Sequence, residues 1–136
     1  MDLVALNIQR GRDHGLPGYN EYRDLCRLGK ASQFSDLQPI ISPRKIALLE
    51  QIYEHVDDID LFIGGIFETP LQGAMVGPTF VCIIGDQFVR LQKGDRFFYS
   101  NGDDEAHSFT PGMYQSLYVY DEYSLFSSLI FVFIEF

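Results

Sequence analysis

Apolar positions recur at helical spacing through most of the chain, and no run alternates convincingly as a strand would. Residues 2–10 predict a first helix. Within it Leu3, Asn7 and Arg10 fall at i, i+4 and i+7 and share one face. That face is unusual, because two strongly polar side chains continue an apolar line. Gly11, Gly15, Pro17 and Gly18 then predict a turn-rich loop. A short helix over residues 19–28 follows, expected to carry Tyr22, Leu25 and Cys26 inward. Ser42 and Pro43 suit the N-cap and first position of a helix whose buried stripe is Ile46, Leu49 and Tyr53. Asp57-Asp58 predicts the start of another short helix, with Ile59, Phe62 and Ile63 on its apolar face. Gly64-Gly65 there either permits close packing or ends the helix.

Residues 69–78 read as a loop holding Pro70, Gly73 and Gly77. Pro78 opens the longest expected helix, running to about residue 93 with Gly94 as its C-cap. Phe80, Val81, Ile84, Phe88 and Leu91 make it almost wholly apolar as far as Asp86, so burial on most sides is expected. Residues 101–105 form an acidic turn, and Thr110-Pro111 predicts one more helix start. From Ser116 the character changes to Tyr, Phe, Leu and Ser. The apolar run over 124–134 has 11 residues, short of the roughly 18–20 that cross a bilayer. This tail is β-prone and does not resemble a continuation of the helical pattern. The expected class is all-α.

Composition narrows the functions. The 136 residues are 46% hydrophobic and 21% charged, as in a globular protein. A net charge of −9 opposes direct binding to nucleic acid and to anionic membranes. Met1 is followed by Asp2 with no basic segment and no long apolar run, so no signal peptide is read. No Asn-x-Ser/Thr sequon occurs. Cys26 and Cys82 are too few for a zinc site without histidine help, and no histidine stands at ligand spacing. From composition alone they are either buried thiols or a disulfide.

The stretch Leu6-Asn7-Ile8-Gln9-Arg10-Gly11-Arg12-Asp13-His14-Gly15-Leu16-Pro17-Gly18-Tyr19-Asn20 carries more information than any of these patterns. It closely resembles the most recognisable block of the animal haem peroxidase family. Ile59-Asp60-Leu61 with Gly64-Gly65, Val76-Gly77-Pro78-Thr79-Phe80, Cys82 to Phe88, and Gly94-Asp95-Arg96-Phe97-Phe98-Tyr99 resemble further segments of it. The style is that of the peroxinectin, chorion peroxidase and peroxidasin branches. The resemblance covers residues 2 to about 115. It implies a C-terminal part of the mainly helical peroxidase domain over 1–115, followed by a divergent tail over 116–136.

By this resemblance Asn7 matches the asparagine that accepts a hydrogen bond from the proximal haem histidine, a partner that fixes ring orientation and tautomer. Arg10 matches the arginine that pairs with a haem propionate. Cys26 and Cys82 match a family disulfide, which would stabilise by roughly 4 kcal/mol on the chain-entropy estimate and implies a secretory or extracellular setting. His14 is not expected to ligate iron, since the family's axial histidine lies well upstream of this block. It is expected to order the loop with neighbours such as Asp13. His55 and His107 are expected in solvent. Lys93-Gly94-Asp95 resembles an integrin-type tripeptide, although a helix end with ordinary flanking charges explains it better.

The distal histidine and arginine, the calcium loop and the proximal histidine would all lie upstream of Met1, so calcium is expected only there. Phe67 stands where the family usually has a small residue before the glutamate, here Glu68. The expected function is therefore proximal-side haem support within a hydrogen-peroxide-dependent oxidoreductase that responds to oxidative stress. Haem and peroxide are partners of the parent protein, and the isolated chain is expected to be inactive. A non-catalytic adhesion or matrix module, with a cell-surface partner, and a truncated gene product are the alternatives.

Overall fold

The computed structural model describes residues 2–99, 101 and 108–120. The described residues are helical, with no strand among them and one isolated antiparallel bridge between Ile41 and Glu68. Six α-helices follow in order: α1 (Leu3–Asp13), α2 (Tyr19–Leu25), α3 (Pro43–Ile52), α4 (Leu61–Phe67), α5 (Pro78–Gly94) and α6 (Pro111–Tyr120). Two 3-10 turns, Phe34–Leu37 and Val56–Asp58, flank α3. The chain divides into two compact units, Met1–Gln87 and Phe88–Phe136.

The first unit owns the core. Tyr19, Ala31, Leu37, Ile41, Ile46, Leu49, Val56 and Ile59 form one buried cluster. Its tightest contacts are made by glycine. A methyl group on Gly64 would fall 2.2 Å from the Tyr19 ring, and one on Gly65 would fall 2.3 Å from the Phe80 ring. Gly64-Gly65 therefore permits close packing, and α4 continues through the pair to Phe67. Phe67 lies against the core, with Lys45 Nζ 5.4 Å from its ring centre and donating to its carbonyl at 2.9 Å.

Two helices end in the same way. After α1, Gly15 N–H donates to Arg12 O and Leu16 N–H to Gly11 O, while the Leu16 side chain meets Gly11. After α2, Arg27 N–H donates to Asp24 O and Leu28 N–H to Arg23 O. This pairing of the last carbonyls needs a left-handed residue just past the helix. Gly15 supplies it at φ 65°, whereas Arg27 adopts φ 59° despite its side chain.

Several expectations are corrected. α1 runs three residues beyond Arg10, because the stop needs a left-handed residue and Gly15, not Gly11, provides it. α2 ends at Leu25 and buries Tyr19, Asn20 and Arg23. Leu25 is 76% exposed. The polar Asn20 and Arg23 find partners inside and take the inner face, leaving Leu25 outside. Asp57 and Asp58 belong to a 3-10 turn, closed by Asp58 accepting from His55 N–H. The helix starts at Leu61 after the N-cap Asp60, so the buried Ile59 precedes it.

α5 is not buried on most sides. Thr79 is its one buried residue, and everything from Gly85 to Gly94 is exposed. The first two turns meet the body, through Phe80 on Gly65 and through Cys82. Ser42 and Pro43 do open α3, although the Ser42 side chain makes no capping hydrogen bond.

In the second unit, Asp95 closes a turn by accepting from Phe97 N–H, and Asn101 Nδ2 donates to the carbonyls of Asp95 and Arg96. Phe98, Tyr99 and Phe109 stack in sequence, with centroids 4.7 and 5.8 Å apart. Thr110 Oγ1 accepts from Met113 N–H and caps α6. His107, most of the acidic turn and the tail beyond Tyr120 lie outside the described residues.

Candidate functional site

The N-cap Asp2 starts α1 by accepting from the backbone N–H groups of Val4 and Ala5. The helix then presents Asn7 and Arg10 one turn apart. Asn7 is half-buried, and its Nδ2 is sealed from solvent without a hydrogen-bond partner. Such an amide atom is costly to leave unmet. Arg10 is exposed at the same helix surface. The two residues therefore offer one buried amide with unmet capacity and one cation beside it. That combination fits a second layer around a large anionic cofactor.

The two described histidines, His14 and His55, are engaged locally. His14 is the C-cap of α1, and its Nδ1 lies 2.9 Å from Arg10 O. Asp13 is 3.9 Å away, too far for a hydrogen bond, so the loop-ordering contact is with the Arg10 carbonyl. His55 is exposed and accepts from Asp57 N–H. Among the described residues no three His, Cys, Asp or Glu side chains gather as a metal site. No described helix is long and apolar enough to cross a membrane.

Two polar clusters that the sequence pattern did not disclose hold the frame. In the first, Arg12 grips Asp60 with two parallel bonds, Nε to Oδ1 at 2.9 Å and Nη2 to Oδ2 at 2.8 Å. Tyr53 OH donates to Asp60 Oδ2 at 2.7 Å. The Arg12 bond holds the Asp60 carboxyl below its usual range, against a smaller opposing effect of burial. Burial, then the bond to Asp60, pushes the Tyr53 phenol up to about 12.

The second cluster is centred on Glu68, which is buried. Its Oε1 accepts from Tyr19 OH at 2.8 Å and Thr79 Oγ1 at 2.6 Å, and its Oε2 accepts from Thr79 N–H at 2.9 Å. Arg23 Nη1 stands 3.9 Å off as counter-charge, and Gly77 leaves the space that the carboxylate occupies. Burial, with the Glu68 charge second, raises the Tyr19 phenol above its usual range. Beside this cluster, Asn20 ties the following loop down by donating to Ala31 O and accepting from Ala31 N–H, both at 2.8 Å. Cys26 and Cys82 are joined by a disulfide across α2 and α5, with Cα atoms 6.0 Å apart.

Sequence spacing could not bring these partners together. Arg12 and Asp60 are 48 positions apart, and Tyr19 and Glu68 are 49 apart. The available hint was placement at helix boundaries: Asp60 caps α4 and Glu68 follows it.

The frame matches a known architecture. The fold superposes on peroxidase A from Dictyostelium discoideum with a TM-score of 0.66 and 40% identity, covering 85% of this chain and 20% of that one. That places it in the mainly helical peroxidase fold. Peroxidasin from Drosophila melanogaster is 50% identical over 102 residues, 74% of this chain. Thyroid peroxidase from Rattus norvegicus is 45% identical over 118 residues, 86% of this chain. The family model for animal haem peroxidase matches residues 1–122. The chain belongs to the animal haem peroxidase family. It spans 7% of that peroxidasin and 12% of that thyroid peroxidase.

Proposed function

We propose that the chain forms the proximal-side support of a haem within a larger hydrogen-peroxide-dependent peroxidase. The observation that carries this is the unmet, buried amide of Asn7, set one helical turn from Arg10 in a peroxidase-family frame. Asn7 would accept from the imidazole that ligates the iron, because the amide can present either its oxygen or its nitrogen at one position. Arg10 would pair with a propionate. The haem would supply the redox chemistry. Asn7 would orient the ligand ring, and Arg10 would neutralise carboxylate charge.

The axial imidazole and the distal acid–base pair lie outside the chain on this proposal. Neither His14, committed to a carbonyl, nor the exposed His55 is built to replace them. The isolated chain then binds haem weakly or not at all and has no peroxidase activity of its own. The domain boundary is part of the same proposal, with the peroxidase part over 1–115 and the tail over 116–136, while α6 runs on to Tyr120 and the family match to residue 122. The Cys26–Cys82 disulfide supports a secretory or extracellular setting. On this proposal, use of hydrogen peroxide by the parent protein would make it part of the response to oxidative stress.

Titration with haem in the presence of free imidazole tests the assignment by restoring the missing ligand. The expected result is a Soret shift that strengthens with imidazole and weakens in Asn7→Ala and Arg10→Ala. Identical curves for all three proteins would contradict the roles of both residues.

A further inference from the structure

α1 carries the two proposed haem-facing residues, yet it buries none of its own side chains. Apolar burial, which fixes most helices in place, is therefore weak here. A charged side-chain tether from α1 to a distant element stands at its far end. Arg12 forms two parallel bonds to Asp60, the residue that caps α4. Asp60 is itself held by Tyr53, at the end of α3. A two-point grip of this kind fixes direction as well as distance, because both the guanidinium and the carboxylate are planar. A helix held in this way can roll only as far as the Arg12 side chain can follow before the bonds break.

We propose that Arg12 is a positioning residue: through Asp60 and Tyr53 it sets the roll of α1, and so aims Asn7 and Arg10. This rests on the haem reading for its purpose, but its test needs no haem.

The 136-residue chain, labelled with nitrogen-15, gives the side-chain amide signal of Asn7 as a reporter, with the Ile41 and Leu49 backbone amides reporting the core. Arg12→Ala is expected to speed hydrogen exchange at the Asn7 side chain by about tenfold while the core amides keep their protection. Arg12→Lys restores part of the protection, since an ammonium cannot make the planar double bond. Exchanging the partners, Arg12→Asp with Asp60→Arg, restores more. An Asn7 signal unmoved by Arg12→Ala overturns the proposal. Loss of core protection in step with Asn7, or failure of Arg12→Ala to fold, also overturns it, because Arg12 would then hold the whole body and not the roll of α1. The haem reading fails separately. If Asn7 loosens as expected but Asn7→Ala leaves the imidazole–haem titration unchanged, the positioning stands and the haem role does not.

Discussion

The Glu68 cluster and α1 are built on opposite plans within one compact unit. Around Glu68, each carboxylate oxygen has a donor, the surrounding glycines leave no room for a methyl group, and Tyr19 is wholly buried. α1 has no buried residue, a buried amide without a partner at Asn7, and a half-exposed apolar edge at Leu3 and Val4. The first region meets its carboxylate from within and leaves only Arg23 Nε, among its described polar atoms, buried without a partner. The second, on the proposed haem reading, is complete only when an outside ligand is brought to it. On that reading stability and function are separated along the chain, and substitutions should sort accordingly.

The largest loss is expected from removing the covalent tie. Cys26→Ser with Cys82→Ser should cost roughly 4 kcal/mol, read as a lower urea midpoint, if chain entropy is the main term. Glu68→Ala comes next. It leaves Tyr19 and Thr79 donors buried without acceptors and Arg23 without its counter-charge, at about 3 kcal/mol. A melting curve close to wild type for Glu68→Ala would erase the distinction between the two regions.

Smaller effects sharpen the comparison at the edges. Arg27→Gly should stabilise by up to about 1 kcal/mol, since the left-handed turn after α2 no longer carries a side chain. Tyr53 gives a pH signature. Its folded value lies above the ordinary phenol value, so its contribution is complete below about pH 10 and is lost as pH rises towards 12. Tyr53 is only part-buried, so screening reduces that contribution to under about 1 kcal/mol. Tyr53→Phe should accordingly show a shallower alkaline loss of stability than the wild type, in denaturant titrations across that range.

The sequence disclosed the helices better than their faces. Pro43, Pro78 and Pro111 each stand at the first helical position, where a missing N–H costs nothing. Hydrophobicity misassigned α2, because it cannot register that Asn20 and Arg23 find hydrogen-bond partners inside, in Ala31 O and Leu28 O. It misassigned α5 as well, since an apolar helix reads as buried whether or not its partner is present. For the candidate site, helical spacing placed Asn7 and Arg10 on one face, and the family resemblance gave that face a meaning. The Arg12–Asp60–Tyr53 grip and the Glu68 cluster stayed invisible, because the partners of the first meet only after α1, α3 and α4 have packed, and those of the second only after α2, α4 and α5 have.

Titration of the isolated chain with haem alone, followed by absorption, tests the central claim most directly. The account predicts weak, unsaturating changes, because Asn7 and Arg10 support a ligand that the chain does not itself provide. A tight, stoichiometric Soret band shifted as for histidine ligation would contradict it.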